Sequence, residues 1–188
     1  AWQLAAPNCL VENYYGPTEA TVSITRFLYK KEFQNRKFNN NILPIGSIFN
    51  NHSFAIIDQN SKKLEDGEKG HLIIKGNQIS NGYLNDPQKT NNSFRKFEWD
   101  KSNDIWYLTG DRAFVNKFSE IECLGRLDDQ IKIAGRRIEL GEIESALRYS
   151  NIIEEIVVVP KKDKNGLVNS IIAFITKKIS DNEKRLIN

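Results

Sequence analysis

The sequence predicts an α/β plus β-barrel architecture: the edge of an open sheet, then a small β-barrel or sandwich, then an incomplete α+β subdomain. Three observations carry this. A short apolar run, Leu10 to Tyr15, is cut off by Gly16-Pro17 and followed at once by Thr18 and Glu19, which places a hydroxyl and a carboxylate where open α/β sheets bind ligands. Between about residues 42 and 125 short strand-like runs crowd together with few helical periods, the texture of a small barrel or sandwich. Beyond Gly125 one helical period is followed by two β-branched runs, the order of an α+β unit.

Taken in order, residues Ala1 to Pro7 read as the tail of a helix ended by Pro7, and Leu10 to Tyr15 as a buried strand. Thr21 to Tyr29 alternates weakly and reads as a second strand, whereas Lys30 to Asn41 is polar, holds three consecutive asparagines, and reads as a mobile loop. Ser53 to Asp58 and His71 to Lys75 form a hairpin with a long connection. Asn81-Gly82 marks a turn, and Asp86 to Phe94 a short helix beginning near Pro87. Trp106 to Leu108 and Ala113 to Val115 flank an expected turn at Gly110-Asp111, and Glu120 to Leu124 is a strand. Further on, Leu140, Ile143, Ala146 and Leu147 fall at helical spacing, with Glu139, Glu142 and Glu144 in the first turn, where the helix dipole favours anions. Ile152 to Val159 and Ser170 to Thr176 close the chain as two strands. Their sheet wants a covering helix that these residues do not supply.

Composition narrows the classes. The 188 residues are 39% hydrophobic and 27% charged, a globular balance. Lys plus Arg total 27 against 24 acidic residues, and a net charge of +3, dispersed, is too small for a nucleic-acid footprint. Two cysteines, Cys9 and Cys123, make no disulfide framework, and neither a signal peptide nor an apolar run of membrane length is present. The expected compartment is the cytoplasm. The chain opens at Ala1 and holds no methionine, so it reads as a piece of a longer polypeptide.

The stretch Gly125 to Glu144, GRLDDQIKIAGRRIELGEIE, carries a charge at every turn between a short strand, a glycine turn at Gly135 and a helix start. A plain hairpin does not demand that density, so the set points to a site or a moving joint. With it stand three further motifs: Asn13 to Glu19 (NYYGPTE), Gly70 to Leu84 (GHLIIKGNQISNGYL) and Tyr107 to Asp111 (YLTGD). In order and spacing these four resemble core motifs of the adenylate-forming enzymes, above all the amino-acid adenylation domain of nonribosomal peptide synthetases. The likeness runs from about Ala1 to Ile175. It implies that residues 1–127 end a large adenylation core containing a β-barrel subdomain at 42–125, and that 128–188 begin a mobile α+β subdomain hinged at Asp128.

The resemblance also implies a chemistry: activation of an amino acid by ATP and Mg²⁺ to an aminoacyl-adenylate, then transfer to a phosphopantetheine thiol on a carrier-protein partner. Few covalent catalysts are needed, because the substrate carboxylate itself attacks the α-phosphate and the protein positions groups, neutralises charge and excludes water. Tyr15 is then expected to stack on adenine beside Asn13 and Gly16, Thr18 to meet the α-phosphate, and Glu19 to hold Mg²⁺. Asp111 is expected to accept the ribose hydroxyls, with Arg126 reaching ribose or phosphate, and Tyr14, Val22 and Ser23 to line part of the acyl pocket. Lys132 and Gly135 are expected along the thiol channel. Departures from the family pattern fall at Leu108, Ala134 and Arg136. The family's phosphate loop, α-amino-binding aspartate and terminal lysine are not among these residues, so this piece alone is expected not to complete the half-reaction. A D-alanine:carrier protein ligase is the near alternative, an acyl-CoA ligase the next, and a non-catalytic nucleotide-binding or docking fragment the reading from another class.

Overall fold

The computed structural model describes residues 6–39, 42–127, 130–133, 136–149, 153, 155–163 and 168–176. The expected helix tail at Ala1 to Pro7 lies almost wholly outside them. The chain divides into two compact units, Ala1–Leu127 and Asp128–Asn188.

The first unit opens with β1 (Val11–Tyr15), paired antiparallel with β2 (Thr25–Tyr29), which pairs in turn with β3 (Ser47–Ile48). The expected strand from Thr21 begins only at Thr25. Thr21 and Val22 adopt φ of 52° and 71°, left-handed backbone that breaks a regular strand of non-glycine residues, and they form a tight turn after a 3-10 turn at Thr18–Ala20. Gly16 explains the tightness: a Cβ there would stand 2.5 Å from the Ser23 Cα and 2.7 Å from the Val22 carbonyl oxygen. Only a glycine lets the two backbones approach so closely.

The segment expected to be a mobile loop is anchored over its described part. Lys31–Asn35 forms a 3-10 turn, and Phe27 stacks on Phe33 and meets Phe38 edge-on, at centroid distances of 5.9 and 6.1 Å. The Arg36 guanidinium lies 4.1 Å from the Phe118 ring centroid and forms a two-pronged ion pair with Glu120. The aromatic spacing overrides the polar composition.

The second sheet runs β4 (His52–Ile57), β5 (Gly70–Gly76), β7 (Trp106–Val115), β6 (Phe94–Arg95), with β8 (Ile121–Arg126) along the other half of β7. Among the described residues these pairings make a half-barrel sheet and do not close a barrel. Helix α1 (Pro87–Ser93) begins as Pro87 and its neighbour foretold, with the Asp86 carboxylate accepting the Lys89 N–H at 2.8 Å. Leu72, Ile74, Ala113 and Ile121 of this sheet pack with Ala20 and Ile24 in one core. Each fully buried Leu or Ile contributes on the order of 1.5–3 kcal/mol, so the turn carrying Thr18 and Glu19 is fixed to the barrel-like sheet.

Gly110-Asp111 does not turn the chain. β7 is continuous through it, because Gly110 takes φ 76° inside a bulge and the strand resumes its pairing beyond.

In the second unit, β9 (Gln130–Ile133) and β10 (Arg136–Glu139) form a hairpin, α2 (Leu140–Tyr149) follows, and β11 (Ile156–Lys162) pairs with β12 (Val168–Ile175). Ile131, Leu140, Ile153, Ile156 and Val158 form its core. Glu144 accepts the Val158 N–H at 2.8 Å and so ties α2 to β11. Val157, Ile172 and Phe174 are exposed on this hairpin.

Candidate functional site

The first unit links Tyr15, Asp111 and Arg126 by hydrogen bonds and carries buried Glu19, with Thr18 exposed next to it, on the turn that follows Gly16-Pro17. Alternation along β1 puts Asn13 and Tyr15 on one face and Tyr14 on the other. The Tyr15 hydroxyl donates to Asp111 Oδ2 across 96 residues of sequence. Register brings Asp111 opposite Arg126 on β8, and Arg126 Nη1 donates to Asp111 Oδ1 at 3.3 Å and to the Thr109 carbonyl at 2.7 Å. Asp111 is thus a buried carboxylate between an aromatic hydroxyl and a guanidinium. Burial, reinforced by the Asp111 charge, raises the Tyr15 pKa well above that of a free tyrosine, so its hydroxyl stays a donor at neutral pH.

Glu19 is also buried, and its Oε1 accepts the Tyr83 hydroxyl at 2.5 Å. Burial, then this hydrogen bond, raises the Tyr83 pKa. Tyr83 is held by the Thr90 hydroxyl of α1, which accepts its N–H at 2.9 Å. Sequence reading missed Tyr83 although it sits inside a quoted motif; an aromatic after Asn81-Gly82 was the available signal.

Other site residues sit differently. The Asn13 amide donates to the Pro44 carbonyl at 2.8 Å, tying β1 to the segment before β3. Tyr14 is half exposed, donates to Glu12 at 2.5 Å and meets Phe49 edge-on. Val22 is 85% exposed on the left-handed turn. That turn is clamped by Gln78, whose amide donates to the Thr21 and Ser23 carbonyls at 3.1 and 3.2 Å. Val22 and Ser23 therefore share a clamped turn beyond the end of β1. The backbone of Lys132 lies in β9; its side chain, Gly135 and Asp128 lie outside the described residues. Among the described residues no group of three or more His, Cys, Asp or Glu could hold a metal by itself, and no helix is long and apolar enough to cross a membrane.

The set is thus an aromatic at a strand end, a buried carboxylate with a guanidinium across from it, and a hydroxyl and a second carboxylate on the next turn. Residues 1–84 match the family of AMP-binding enzymes. Among curated proteins it is 39% identical over 178 residues to a D-alanine--D-alanyl carrier protein ligase of Bacillus velezensis, covering 95% of this chain and 34% of that protein. A ligase of the same name from Streptococcus pyogenes serotype M3 is 37% identical over 172 residues, 92% of this chain and 32% of that protein. Among solved structures, the Vibrio cholerae adenylation domain AlmE in complex with glycyl-adenosine-5'-phosphate superposes with a TM-score of 0.78 at 32% identity, covering 93% of this chain and 32% of that one. A holo NRPS protein containing adenylation and PCP domains, bound to a vinylsulfonamide inhibitor, gives 0.81 at 25% identity, over 96% and 31% of the two chains. The chain spans about a third of the length of the relatives it matches.

Proposed function

We propose that this chain is part of an ATP-dependent ligase that activates an amino acid as its aminoacyl-adenylate and passes the acyl group to the phosphopantetheine thiol of a carrier protein. The observation that carries the reading is the Tyr15, Asp111 and Arg126 constellation, assembled from β1, β7 and β8. Two D-alanyl carrier protein ligases among the relatives favour a small amino acid, D-alanine first, over the peptide-synthetase substrates to which the motifs are also similar.

In the first step a substrate carboxylate oxygen bonds to the α-phosphorus and the bond to the bridging oxygen breaks, releasing pyrophosphate. In the second, the thiol sulfur bonds to the acyl carbon and AMP leaves. Tyr15 offers its ring to adenine, with Gly16 and Asn13 alongside. Asp111 accepts the ribose hydroxyls, and Arg126 reaches ribose or phosphate with its planar fork. The exposed Thr18 hydroxyl donates to the α-phosphate. Glu19 suits Mg²⁺: one carboxylate, oriented by Tyr83, fits an ion that takes most of its oxygens from phosphate and water. When bound, that ion neutralises phosphate charge. Tyr14, Val22 and Ser23 border the acyl group, Asp128 is the hinge at the boundary of the two units, and Lys132 and Gly135 line the path of the thiol. ATP and carrier-thiol chemistry place the work in the cytoplasm.

The test is pyrophosphate exchange by the full-length protein with D-alanine, glycine, L-amino acids, fatty acids and aryl acids. Exchange driven by D-alanine or another small amino acid supports the reading. Exchange peaking on a fatty or aryl acid overturns it, and no exchange with any acid leaves a binding module instead.

A further inference from the structure

The bulge in β7 leaves backbone groups that its ladder cannot serve. Between the pairs His71↔Arg112 and Ile73↔Leu108, β5 contributes Leu72 alone, while β7 contributes Thr109, Gly110 and Asp111. Three residues facing one cannot all meet ladder partners, and buried peptide groups need partners. The Asp111 N–H goes to the Thr109 hydroxyl at 3.0 Å, and that hydroxyl donates to the Leu72 carbonyl at 2.7 Å. The Gly110 carbonyl accepts the Leu127 N–H at 2.8 Å. The Gly110 N–H is met by a side chain from the neighbouring strand: it donates to His71 Nε2 at 2.8 Å. An accepting Nε2 carries the lone pair, so the ring proton of neutral His71 sits on Nδ1.

We propose that His71 is a positioning residue for the nucleotide site. By holding the Gly110 N–H while Leu127 holds the Gly110 carbonyl, it pins both peptides that flank the left-handed glycine, and so fixes where the Asp111 carboxylate stands between Tyr15 and Arg126. The inference rests on Asp111 as acceptor of the ribose hydroxyls.

The experiment compares the full-length wild type with H71L, H71Q and D111A, measuring kcat and KM in pyrophosphate exchange for ATP and for 2'-deoxy-ATP. A misplaced carboxylate loses its preference for the ribose hydroxyl, whereas general loosening raises both KM values alike. H71L, with no acceptor, is expected to lower the ATP over 2'-deoxy-ATP preference in kcat/KM by roughly tenfold, chiefly through KM, about the worth of one hydrogen bond to a charged group. H71Q, which can present Oε1 to the same N–H, is expected to keep the preference within about threefold. If H71L does not fold, H71N takes its place, being too short to reach Gly110, and the same loss is expected. A wild-type preference in H71L or H71N overturns the assignment when D111A has lost it. A preference that survives in D111A overturns instead the ribose reading on which the assignment rests.

Discussion

Tyr15 offers two separable groups, a ring and a hydroxyl, and the proposed function gives them different work. Tyr15→Phe keeps the ring and removes the donor to Asp111 Oδ2. A hydrogen bond to a charged acceptor contributes about 1.5–3 kcal/mol. After its loss Asp111 retains the Arg126 donor at 3.3 Å and remains buried, so unfolding free energy is expected to fall by about 1–2 kcal/mol. Adenine affinity should hold within about threefold, because stacking needs only the face. Tyr15→Ala removes both, and base stacking on an aromatic ring is worth about 1–3 kcal/mol, so AMP affinity should fall by roughly 5- to 150-fold. Urea denaturation and calorimetric titration of AMP, on the full-length protein and both variants, measure the two effects. The hydroxyl also gives a pH signature. Its pKa is raised in the folded chain, so the stability it contributes is present below the ordinary tyrosine value near 10 and is lost as pH rises beyond it. The Phe variant lacks that alkaline loss. An Ala variant that binds AMP as tightly as wild type, or a Phe variant equally stable and equally alkali-sensitive, refutes the assignment.

Three other outcomes follow from the packing. Tyr83→Phe removes the donor to Glu19, so the Mg²⁺ concentration for half-maximal pyrophosphate exchange should rise about 3- to 10-fold, and Glu19→Gln should raise it further; an unchanged Mg²⁺ curve in both contradicts the assignment of Glu19. Arg36→Ala breaks a mostly buried ion pair and uncovers four phenylalanines, and a loss of about 2–4 kcal/mol in urea denaturation is expected; Arg36→Lys should recover little of it. Gly46→Ala forces a Cβ to 2.0 Å from the Arg26 carbonyl oxygen at φ 82°, at a cost of at least about 3 kcal/mol; a melting temperature within 2–3 °C of wild type, roughly what 1 kcal/mol moves a domain of this size, contradicts that steric reading.

The sequence by itself determined several of the local elements and the motifs that carry the family likeness. Strand periodicity gave β4, β5 and β8, and the Asp86-Pro87 pair gave the start of α1, because caps and alternation are set by neighbours along the chain. The four motifs pointed to adenylate-forming chemistry, and the family and structural relatives agree with that. Contacts across the chain decided the rest. Gly110-Asp111 looks like a turn to any local reading and is a bulge only because β5 and β8 hold the strand on both sides. Thr21-Val22 left the strand pattern because Gln78, 57 positions away, clamps the turn that Gly16 leaves room for. Lys30 to Asn39 looks polar along the chain, yet Phe33, Arg36 and Phe38 find Phe27, Phe118 and Glu120 only in three dimensions. His71 and Tyr83 gained their parts the same way: a hydrogen bond between residues 39 or 64 positions apart leaves no trace in local spacing.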